Sequence, residues 1–454
     1  MEQELVTSCE LAVDFNLHYS IGFYSFTDGD YRHRKFCADL LYLLKRFVTM
    51  RFLKKTLKTV LFLLLGFVFL LLLYILFNLN LFHKTKPLSQ SEVQMYLRHI
   101  DSSDPLKFVA DKFDNHSIVF LGEVHKRKQD LQFFSSLIPY LYQTKKINVI
   151  GWEFGAAEYQ KDADSIVIAS EFDRKKAIAI MRNTNYYWCY EEYLDIFKTI
   201  WQLNKNILQT DEKIRFLQLN KPYIPKRWNS SNHSIRLEER KKSFDNILPG
   251  IIEKEVIQKN KKILIYCGLN HSLTKFKTPK FFFLKDNEGR AGQRLYEKYP
   301  DKVFQICLLS PFPPRWSFYK EVIGSKDIKY VYPFEAVFNQ LYDTLKRPFA
   351  INADNTAFAD LKDYNSFYAF DKWNGVKLKD FCDGSIMLAS FDKIEPANVI
   401  PDWVTTEEEL ENVKKSLPDN NVKQIKTIQD LMKYINPEAN QKEIKEFHTL
   451  KKIW

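Results

Sequence analysis

One uninterrupted apolar segment constrains this 454-residue chain more than any other feature of its sequence. Val60 to Phe77 are 18 consecutive apolar residues. As a helix rising about 1.5 Å per residue they span about 27 Å, close to the hydrocarbon thickness of a bilayer. The segment therefore predicts one transmembrane helix, residues 59–80, in contact with membrane lipid.

The charges around this segment predict its orientation. Nine Lys and Arg residues and one acid lie between Tyr31 and Lys58, whereas the other flank has only His83, Lys84 and Lys86. The positive-inside rule then makes residues 1–58 a cytoplasmic segment and puts the main domain outside the cytoplasm, periplasmic or extracellular. A cleaved signal peptide has a shorter apolar region and a small-residue cleavage site, so an uncleaved signal anchor is favoured. Residues 1–49 are either a short cytoplasmic tail or an over-extended reading frame, with Met50 as the natural start of the anchor.

Composition excludes several other classes of protein. The formal net charge of +11 is spread through mixed charged segments without a basic-aromatic recognition motif, so nucleic acid is not an expected partner. No GxGxxG or GxxxxGK[ST] occurs among the 13 glycines, and no GxSxG elbow is present. The six cysteines form no CxxC, which argues against a zinc ribbon or a thioredoxin motif.

Short apolar strands alternate with longer helical stretches in the rest of the chain. The predicted strands are 117–121, 147–150, 214–217, 263–266, 303–309 and a closing strand 384–391. The predicted helical stretches are 126–144, 156–206, 234–260, 290–299, 330–345, 407–417 and 428–435, with a break or kink at Pro249-Gly250. This alternation predicts an α/β fold, a mainly parallel sheet with helices on both faces. The expected organisation is a linker at 81–104, one domain at 105–395 and a charged helical tail at 396–454.

Three predicted strands end in similar polar motifs. The first leads into Gly122-Glu123-Val124-His125, the second into Gly151-Trp152-Glu153, and the fourth into Gly268-Leu269-Asn270-His271. In open α/β sheets ligands bind beyond the carboxyl ends of the strands, where side chains from neighbouring strands converge. Glu123, His125, Glu153 and His271 are therefore the candidate catalytic residues. A lone histidine at a strand end is more often structural, but the repetition favours a functional site.

Two mechanisms are compatible with these four residues. His125, Glu153 and His271 would supply the two-histidine, one-glutamate ligand set of a catalytic zinc or manganese, with Glu123 as general base or as the group orienting His125. Without a metal, His125 is itself a plausible base, Glu153 would fix its tautomer, and His271 would stabilise the oxyanion. The sequence does not separate these alternatives.

These motifs resemble the superfamily that joins erythromycin esterase, the haem-uptake protein ChaN and the TraB/Tiki membrane proteins. Those families share a strand ending in GExH or GxxH, a second ending in Glu and a later GxxH, matched here by residues 122–125, Glu153 and residues 268–271. The resemblance covers about residues 110–310 and also the segment Asp383–Leu388. The esterase branch implies activation of water by histidine and glutamates, the Tiki branch a metallopeptidase, and the ChaN branch haem binding through tyrosine.

The predicted function is that of a membrane-anchored hydrolase of an ester or peptide bond in a small molecule or peptide. The alternative is a haem- or metal-binding uptake protein without turnover, and a third is a structural module whose site has decayed. Lys126 to Asp130 replace the second histidine of the haem-binding relatives, which weakens the haem role. Tyr186, Tyr187 and Tyr190 would line a flat ligand pocket, although a buried helix stripe is the favoured interpretation.

Overall fold

The structure, a computed structural model, describes residues 31–78, 85–228, 232–277, 289–315, 317, 330–372, 374–417, 422–435, 444–450 and 452. The predicted cytoplasmic segment before residue 31, residues 79–80 of the predicted span and the start of the predicted linker lie outside these ranges. The described residues fall into two compact units that divide between Ile75 and Leu76.

In the first unit the described residues belong to one long helix, α1, Tyr31–Asn78, whose last three residues are counted with the second unit. Its stretch Lys54–Ile75 is long and apolar enough to cross a membrane, and its side chains are exposed. Phe62, for example, is 76% exposed. Exposed leucine and phenylalanine side chains in such a stretch are what a lipid-facing helix presents.

The second unit is built on a seven-stranded sheet with the strand order β3-β2-β4-β1-β5-β9-β6. The strands are β1 Ile118–Glu123, β2 Val149–Ala156, β3 Arg215–Asn220, β4 Ile263–Gly268, β5 Val303–Leu308, β6 Phe349–Asn352 and β9 Gly384–Met387, with β7 Lys362–Asp363 and β8 Val376–Lys377 forming a separate ribbon. Neighbouring strands of the large sheet are parallel except β6, which is antiparallel to β9. The predicted mainly parallel sheet is confirmed.

Helices connect these strands, as a parallel sheet requires. The α-helices of the second unit are α2 Gln90–Leu97, α3 Pro105–Lys112, α4 Lys128–Lys145, α5 Gln160–Ile168, α6 Arg174–Thr184, α7 Glu191–Asn206, α8 Pro225–Trp228, α9 His233–Lys241, α10 Phe244–Ile252, α11 Leu269–Ser272, α12 Ala291–Lys298, α13 Val337–Leu345, α14 Leu378–Phe381, α15 Glu407–Lys414 and α16 Ile428–Tyr434.

The core forms because alternate residues of the buried strands point to opposite faces of the sheet. In β1, Val119 and Leu121 pack into one hydrophobic cluster, and Ile118 and Phe120 pack into another. The first cluster contains residues of α4 and α7, and the second contains residues of α10 and α12. Helices therefore cover both faces of the sheet, as the continuous apolar strands predict.

Several element boundaries differ from the sequence prediction. The predicted helical stretch 156–206 contains α5, α6 and α7, separated by a 3₁₀ turn at Tyr186–Trp188 and other short connections. Pro249 does not end α10, which continues to Ile252 and passes into a π-helical turn, Glu253–Ile257. A π turn is a known way for a helix to absorb a local disruption.

The closing part of the sheet was only partly predicted. Strand β9 ends at Met387, earlier than the predicted residue 391, and β6 was not predicted as a strand at all. Antiparallel pairing with β9 stabilises β6, whose four residues are too short a pattern to reveal a strand.

The tail from residue 396 contributes side chains to the same hydrophobic core. Leu410 and Val413 of α15 and Leu431 of α16 belong to the cluster that covers one face of the sheet. Ile444 and Phe447 belong to a third cluster beside β6 and α13. Burying these side chains removes apolar surface from water and stabilises the attachment of the tail.

Candidate functional site

The four candidate residues come together because their strands are neighbours. Strand β4 lies between β1 and β2, and Glu123 at the end of β1 is paired with Gly268 at the end of β4. His125 follows β1, His271 lies in the single helical turn α11 that follows β4, and Glu153 lies near the end of β2. We call the segments 122–125 and 268–271 the two GxxH loops. Parallel strands bring their carboxyl ends to one edge of the sheet, so the predicted convergence follows from the strand order.

His125 is held by the carboxylate of Glu123. Its Nδ1 lies 2.5 Å from Glu123 Oε1, and because an ionised carboxylate only accepts, Nδ1 carries the proton and Nε2 is left as the acceptor. The Glu123 side chain is inaccessible, whereas the His125 ring is 38% exposed. Glu123 therefore fixes the tautomer of His125. The metal-free hypothesis assigned this role to Glu153, but Glu123 is the carboxylate within hydrogen-bond distance of Nδ1.

The electrostatic surroundings of His125 favour its protonated form. Burial alone would lower the pKa of the imidazole, but the carboxylates of Glu123 and Glu153 outweigh this effect and raise the pKa above its ordinary value. Beneath the site, burial and the nearby Glu123 carboxylate raise the pKa of the Asp130 carboxyl well above its usual range.

His271 has a carboxylate partner that the sequence did not reveal. Its Nδ1 lies 2.7 Å from Oδ1 of Asp245, at the start of α10. Asp245 Oδ1 also accepts a hydrogen bond of 2.9 Å from the Ala291 amide, and Oδ2 one of 3.1 Å from Arg290. Burial would lower the pKa of His271, but Glu153 and Asp245 raise it, and despite its burial the pKa of Asp245 is lowered by His271 and Arg290.

Glu153 lies between the two imidazoles. The pairing of β2 with β3 shifts register between Trp152 and Ala156, a bulge that changes the direction of the side chains within it. Glu153 Oε2 accepts a hydrogen bond of 2.8 Å from the Gly268 amide, and Oε1 lies 3.5 Å from His271 Nε2. Glu153 contacts Gly268 and His271 in one GxxH loop, and its charge also raises the pKa of His125 in the other.

Gly268 must lack a side chain for this arrangement to exist. A Cβ placed on it would lie 2.8 Å from His125 Cε1, 3.1 Å from His125 Nε2 and 3.4 Å from Glu153 Oε2. Three site atoms therefore surround the point where a methyl group would stand. Close backbone approach is a usual reason for glycine at such a position.

Aromatic side chains form one wall of the site. The ring of Trp188 lies 5.1 Å from that of His125, and the ring of Phe154 lies 5.8 Å from it, both in edge-to-face contact. Trp188 is 6% exposed, and its Nε1 has no hydrogen-bond partner among the described residues. The sequence suggested no role for Trp188, because its contact with His125 depends on the packing of the turn before α7.

The three tyrosines near this wall differ in exposure. Tyr186 and Tyr190 are buried, as predicted, whereas Tyr187 is 45% exposed. The predicted helix stripe is wrong, because Tyr186 and Tyr187 lie in a 3₁₀ turn and Tyr190 precedes α7. The ammonium of Lys126 lies 3.8 Å from the centre of the Tyr187 ring. A cation at this distance from an aromatic face is stabilised by the ring quadrupole.

A three-ligand metal site remains a prediction. Within the ranges the structure describes, no group of three or more His, Cys, Asp or Glu side chains is arranged to hold a metal ion. If a divalent metal binds, His125, Glu153 and His271 are the residues that would hold it, and it would lower the pKa of a bound water.

A cavity of about 510 Å³ lies elsewhere in the unit. It is lined by residues that include Val303 at the start of β5, Asp383 just before β9, and Lys275. Lys275 Nζ lies 2.8 Å from Asp383 and 3.1 Å from Asp354. Because these strands are parallel to β1, the cavity is at the opposite edge of the sheet from His125 and is not part of the site.

Comparison with known proteins gives remote structural matches. No protein-family profile and no curated protein matches the chain. A mutant of erythromycin esterase EreC in its open conformation matches with a TM-score of 0.44 and 13% identity over 64% of this chain and 94% of that one. A succinoglycan biosynthesis protein matches with 0.42 and 13% over 68% and 98%, and haem-bound ChaN of Campylobacter jejuni with 0.30 and 13% over 45% and 85%.

Two of the three branches named from the sequence motifs, erythromycin esterase and ChaN, are thus among the solved structures that match. The TraB/Tiki branch stays a prediction.

Proposed function

We propose that this protein is a hydrolase in which His125 activates water for attack on an ester or peptide carbonyl. The observation that carries the proposal is the 2.5 Å contact between Glu123 Oε1 and His125 Nδ1, which leaves Nε2 as a proton acceptor. Nε2 lies next to Gly268, on the side where Glu153 and His271 also stand. A histidine oriented in this way by a carboxylate is a standard general base.

His271 has a different role in the proposed mechanism. Its raised pKa, due to Glu153 and Asp245 acting against burial, favours the imidazolium, which donates a hydrogen bond through Nε2. A fixed cationic donor stabilises the oxyanion that forms when water adds to a carbonyl. His125 then returns its proton to the leaving group, so that the two imidazoles act as base and oxyanion donor.

We also propose that α1 anchors the protein in a membrane with its N-terminus in the cytoplasm. The apolar stretch Lys54–Ile75 supports the anchoring, and the nine basic residues between Tyr31 and Lys58 support the orientation. The substrate would then be a small molecule or peptide outside the cytoplasm.

The second candidate function is binding of haem without turnover. The partly exposed His125 ring supports it, because an axial imidazole suits haem iron. A divalent metal, zinc or manganese, bound by His125, Glu153 and His271 is the corresponding prediction for metal binding.

The test compares the purified full-length protein with its His125→Ala variant on a panel of p-nitrophenyl esters and chromogenic peptides. We expect hydrolysis by the wild type that is lost in the variant, and wild-type rates in a surface control, Glu408→Gln. Equal rates in wild type and His125→Ala would contradict the proposal. A Soret band in the purified protein would support haem binding instead, and elemental analysis of both proteins tests for metal.

A further inference from the structure

A segment near the C-terminus, residues 394–400, lies against both loops that border His125. We call this segment the strap. On one side the Lys128 amide donates a 3.0 Å hydrogen bond to the carbonyl of Glu395, and the Ala397 amide donates one of 3.0 Å to the carbonyl of Lys126. These bonds form an antiparallel bridge between Arg127 and Pro396, so the strap pairs directly with the chain that follows His125.

The other side of the strap binds the turn that carries Trp188. The Glu192 carboxylate accepts hydrogen bonds of 2.8 Å from the Asn398 amide and 2.7 Å from the Asn398 side chain. The Ile400 amide donates a 2.9 Å bond to the carbonyl of Cys189. Because Cys189 directly follows Trp188, the strap connects the His125 loop to the aromatic wall of the site.

Arg127 connects the strap to His125 itself. Its side chain is 1% exposed, and its guanidinium donates hydrogen bonds of 3.3 Å to the carbonyl of His125 and 3.2 Å to Ser310 Oγ. The ring of Phe447 covers the guanidinium at 4.3 Å. The guanidinium is therefore fixed between the backbone of the candidate base, Ser310 and the Phe447 ring.

The backbone at this point is also held in an uncommon conformation. Lys126 has a φ of 69°, in the left-handed region, directly after His125. Its amide lies within hydrogen-bond distance, 3.3 Å, of the Tyr193 hydroxyl, and its carbonyl is bound by the strap. Residues other than glycine keep such a conformation where their surroundings over-determine it, often beside a functional site.

We infer that Arg127 is a positioning residue for His125 and that the strap and Phe447 hold Arg127 and the His125 loop in place. His448 contributes by contacting the carbonyl of Ile394 at 3.0 Å through Nε2, which ties the segment of Phe447 to the strap. This inference rests on the proposed function, since the positioned group is the proposed base. By this inference, residues of the C-terminal tail help to position a base that lies about 300 residues earlier in the chain.

The kinetic test uses three variants of the full-length protein. Arg127→Lys keeps the charge but loses the forked geometry, Phe447→Leu removes the aromatic cover, and Asn398→Ala removes the link to Glu192 from a point remote from Arg127. With p-nitrophenyl butyrate as the probe, we expect kcat to fall about tenfold with KM changed less than about twofold, because a displaced base slows the chemical step. Lys445→Ala, two residues before Phe447, and Asn412→Ala are exposed controls of matched residue type and keep wild-type kcat.

A second readout does not depend on turnover. Diethyl pyrocarbonate modifies accessible imidazoles, and peptide mass spectrometry gives the rate at His125 relative to the exposed His99. We expect this ratio to rise at least about threefold in Arg127→Lys, Phe447→Leu and Asn398→Ala, since a loosened loop opens locally, and to stay unchanged in the controls. An unchanged ratio in variants that keep the wild-type Tm would overturn the inference.

The two readouts separate the inference from the proposed function. If the wild type hydrolyses no ester, the hydrolase proposal fails, and the His125-to-His99 ratio still decides whether Arg127 and the strap position His125. If esters are hydrolysed but the variants keep both kcat and the wild-type ratio, the positioning role is wrong and the hydrolase proposal stands. If Arg127→Lys or Phe447→Leu fails to fold, Asn398→Ala decides alone, because its side chain binds Glu192 and not the buried guanidinium.

Discussion

The two GxxH loops of the site hold their histidines in the same way but obtain the partner carboxylate from different places. After β1, the Nδ1 of His125 is bound by Glu123 at 2.5 Å, from two residues earlier in the chain. After β4, the Nδ1 of His271 is bound by Asp245 at 2.7 Å, from the start of a helix that precedes the strand. In both loops Nε2 is the nitrogen left for the site.

The difference in the source of the carboxylate separates the two roles. The Glu123 carboxylate is fully inaccessible and belongs to the sheet, so the orientation of His125 is part of the rigid core. His271 has a carboxylate beside each ring nitrogen, Asp245 at 2.7 Å from Nδ1 and Glu153 at 3.5 Å from Nε2, and two such neighbours favour the doubly protonated ring. We therefore expect His125 to act as the base and His271 as the cationic donor, and each prediction below tests that division.

Removal of each imidazole is expected to give the largest effects. His125→Ala should lower kcat/KM for p-nitrophenyl butyrate about 10³-fold, because general base catalysis is lost. His271→Ala should lower it about 10²-fold, as loss of one oxyanion donor does. Steady-state kinetics of the two variants checks the order of the effects. A larger loss in His271→Ala than in His125→Ala would reverse the roles assigned to the two loops.

Replacement of the partner carboxylates is expected to have intermediate effects. Glu123→Gln should lower kcat about 30-fold and Asp245→Asn about tenfold, in the range seen when the groups that orient functional histidines are changed. The Glu123 effect is expected to be larger because, among the described residues, Glu123 is the one side chain that binds His125 Nδ1. His271 loses less in Asp245→Asn, because Glu153 still lies 3.5 Å from its Nε2. Equal kcat in wild type and Glu123→Gln would show that the carboxylate does not support the base.

Filling the space between the loops is expected to have the smallest effect. Gly268→Ala puts a methyl carbon within 2.8 Å of His125 Cε1, so the ring must shift and kcat should fall about tenfold or less. Gly250→Ala is the matched control, because nothing lies within 4 Å of its added carbon. Kinetics and Tm of both variants check this prediction, and wild-type kcat in Gly268→Ala would mean that the two loops are further apart in solution.

The sequence predicted the parts of this architecture that depend on local pattern. Continuous apolar strands identified β1 to β5, and the polar residues directly after them identified Glu123, His125, Glu153 and His271, because parallel strands end at a common edge. Strand β6 was missed because four residues give too short a pattern, and its pairing partner β9 lies more than thirty residues further on.

Other site residues were missed because tertiary contacts alone bring them to the site. Asp245 is an ordinary acidic residue in the first turn of a helix, and nothing in its neighbourhood points to His271. Arg127 and Phe447 are separated by most of the domain in sequence, yet their side chains are in contact. Such contacts depend on strand order and helix packing, which a single sequence does not encode as a readable motif.

The pH dependence of hydrolysis tests the central claim, that His125 held by Glu123 is the base, most directly. Burial would lower the pKa of His125, but the facing groups Glu123 and Glu153 raise it above the ordinary value despite the opposing effect of His271. Because the base must be neutral, wild-type kcat/KM for p-nitrophenyl butyrate should rise with pH through this raised pKa. In Glu123→Gln the largest raising influence is gone, so this acid limb should move to lower pH, whereas in Asp245→Asn the His125 limb should stay in place. An acid limb that stays at the same pH in Glu123→Gln, or that is absent from the wild type, would contradict the account.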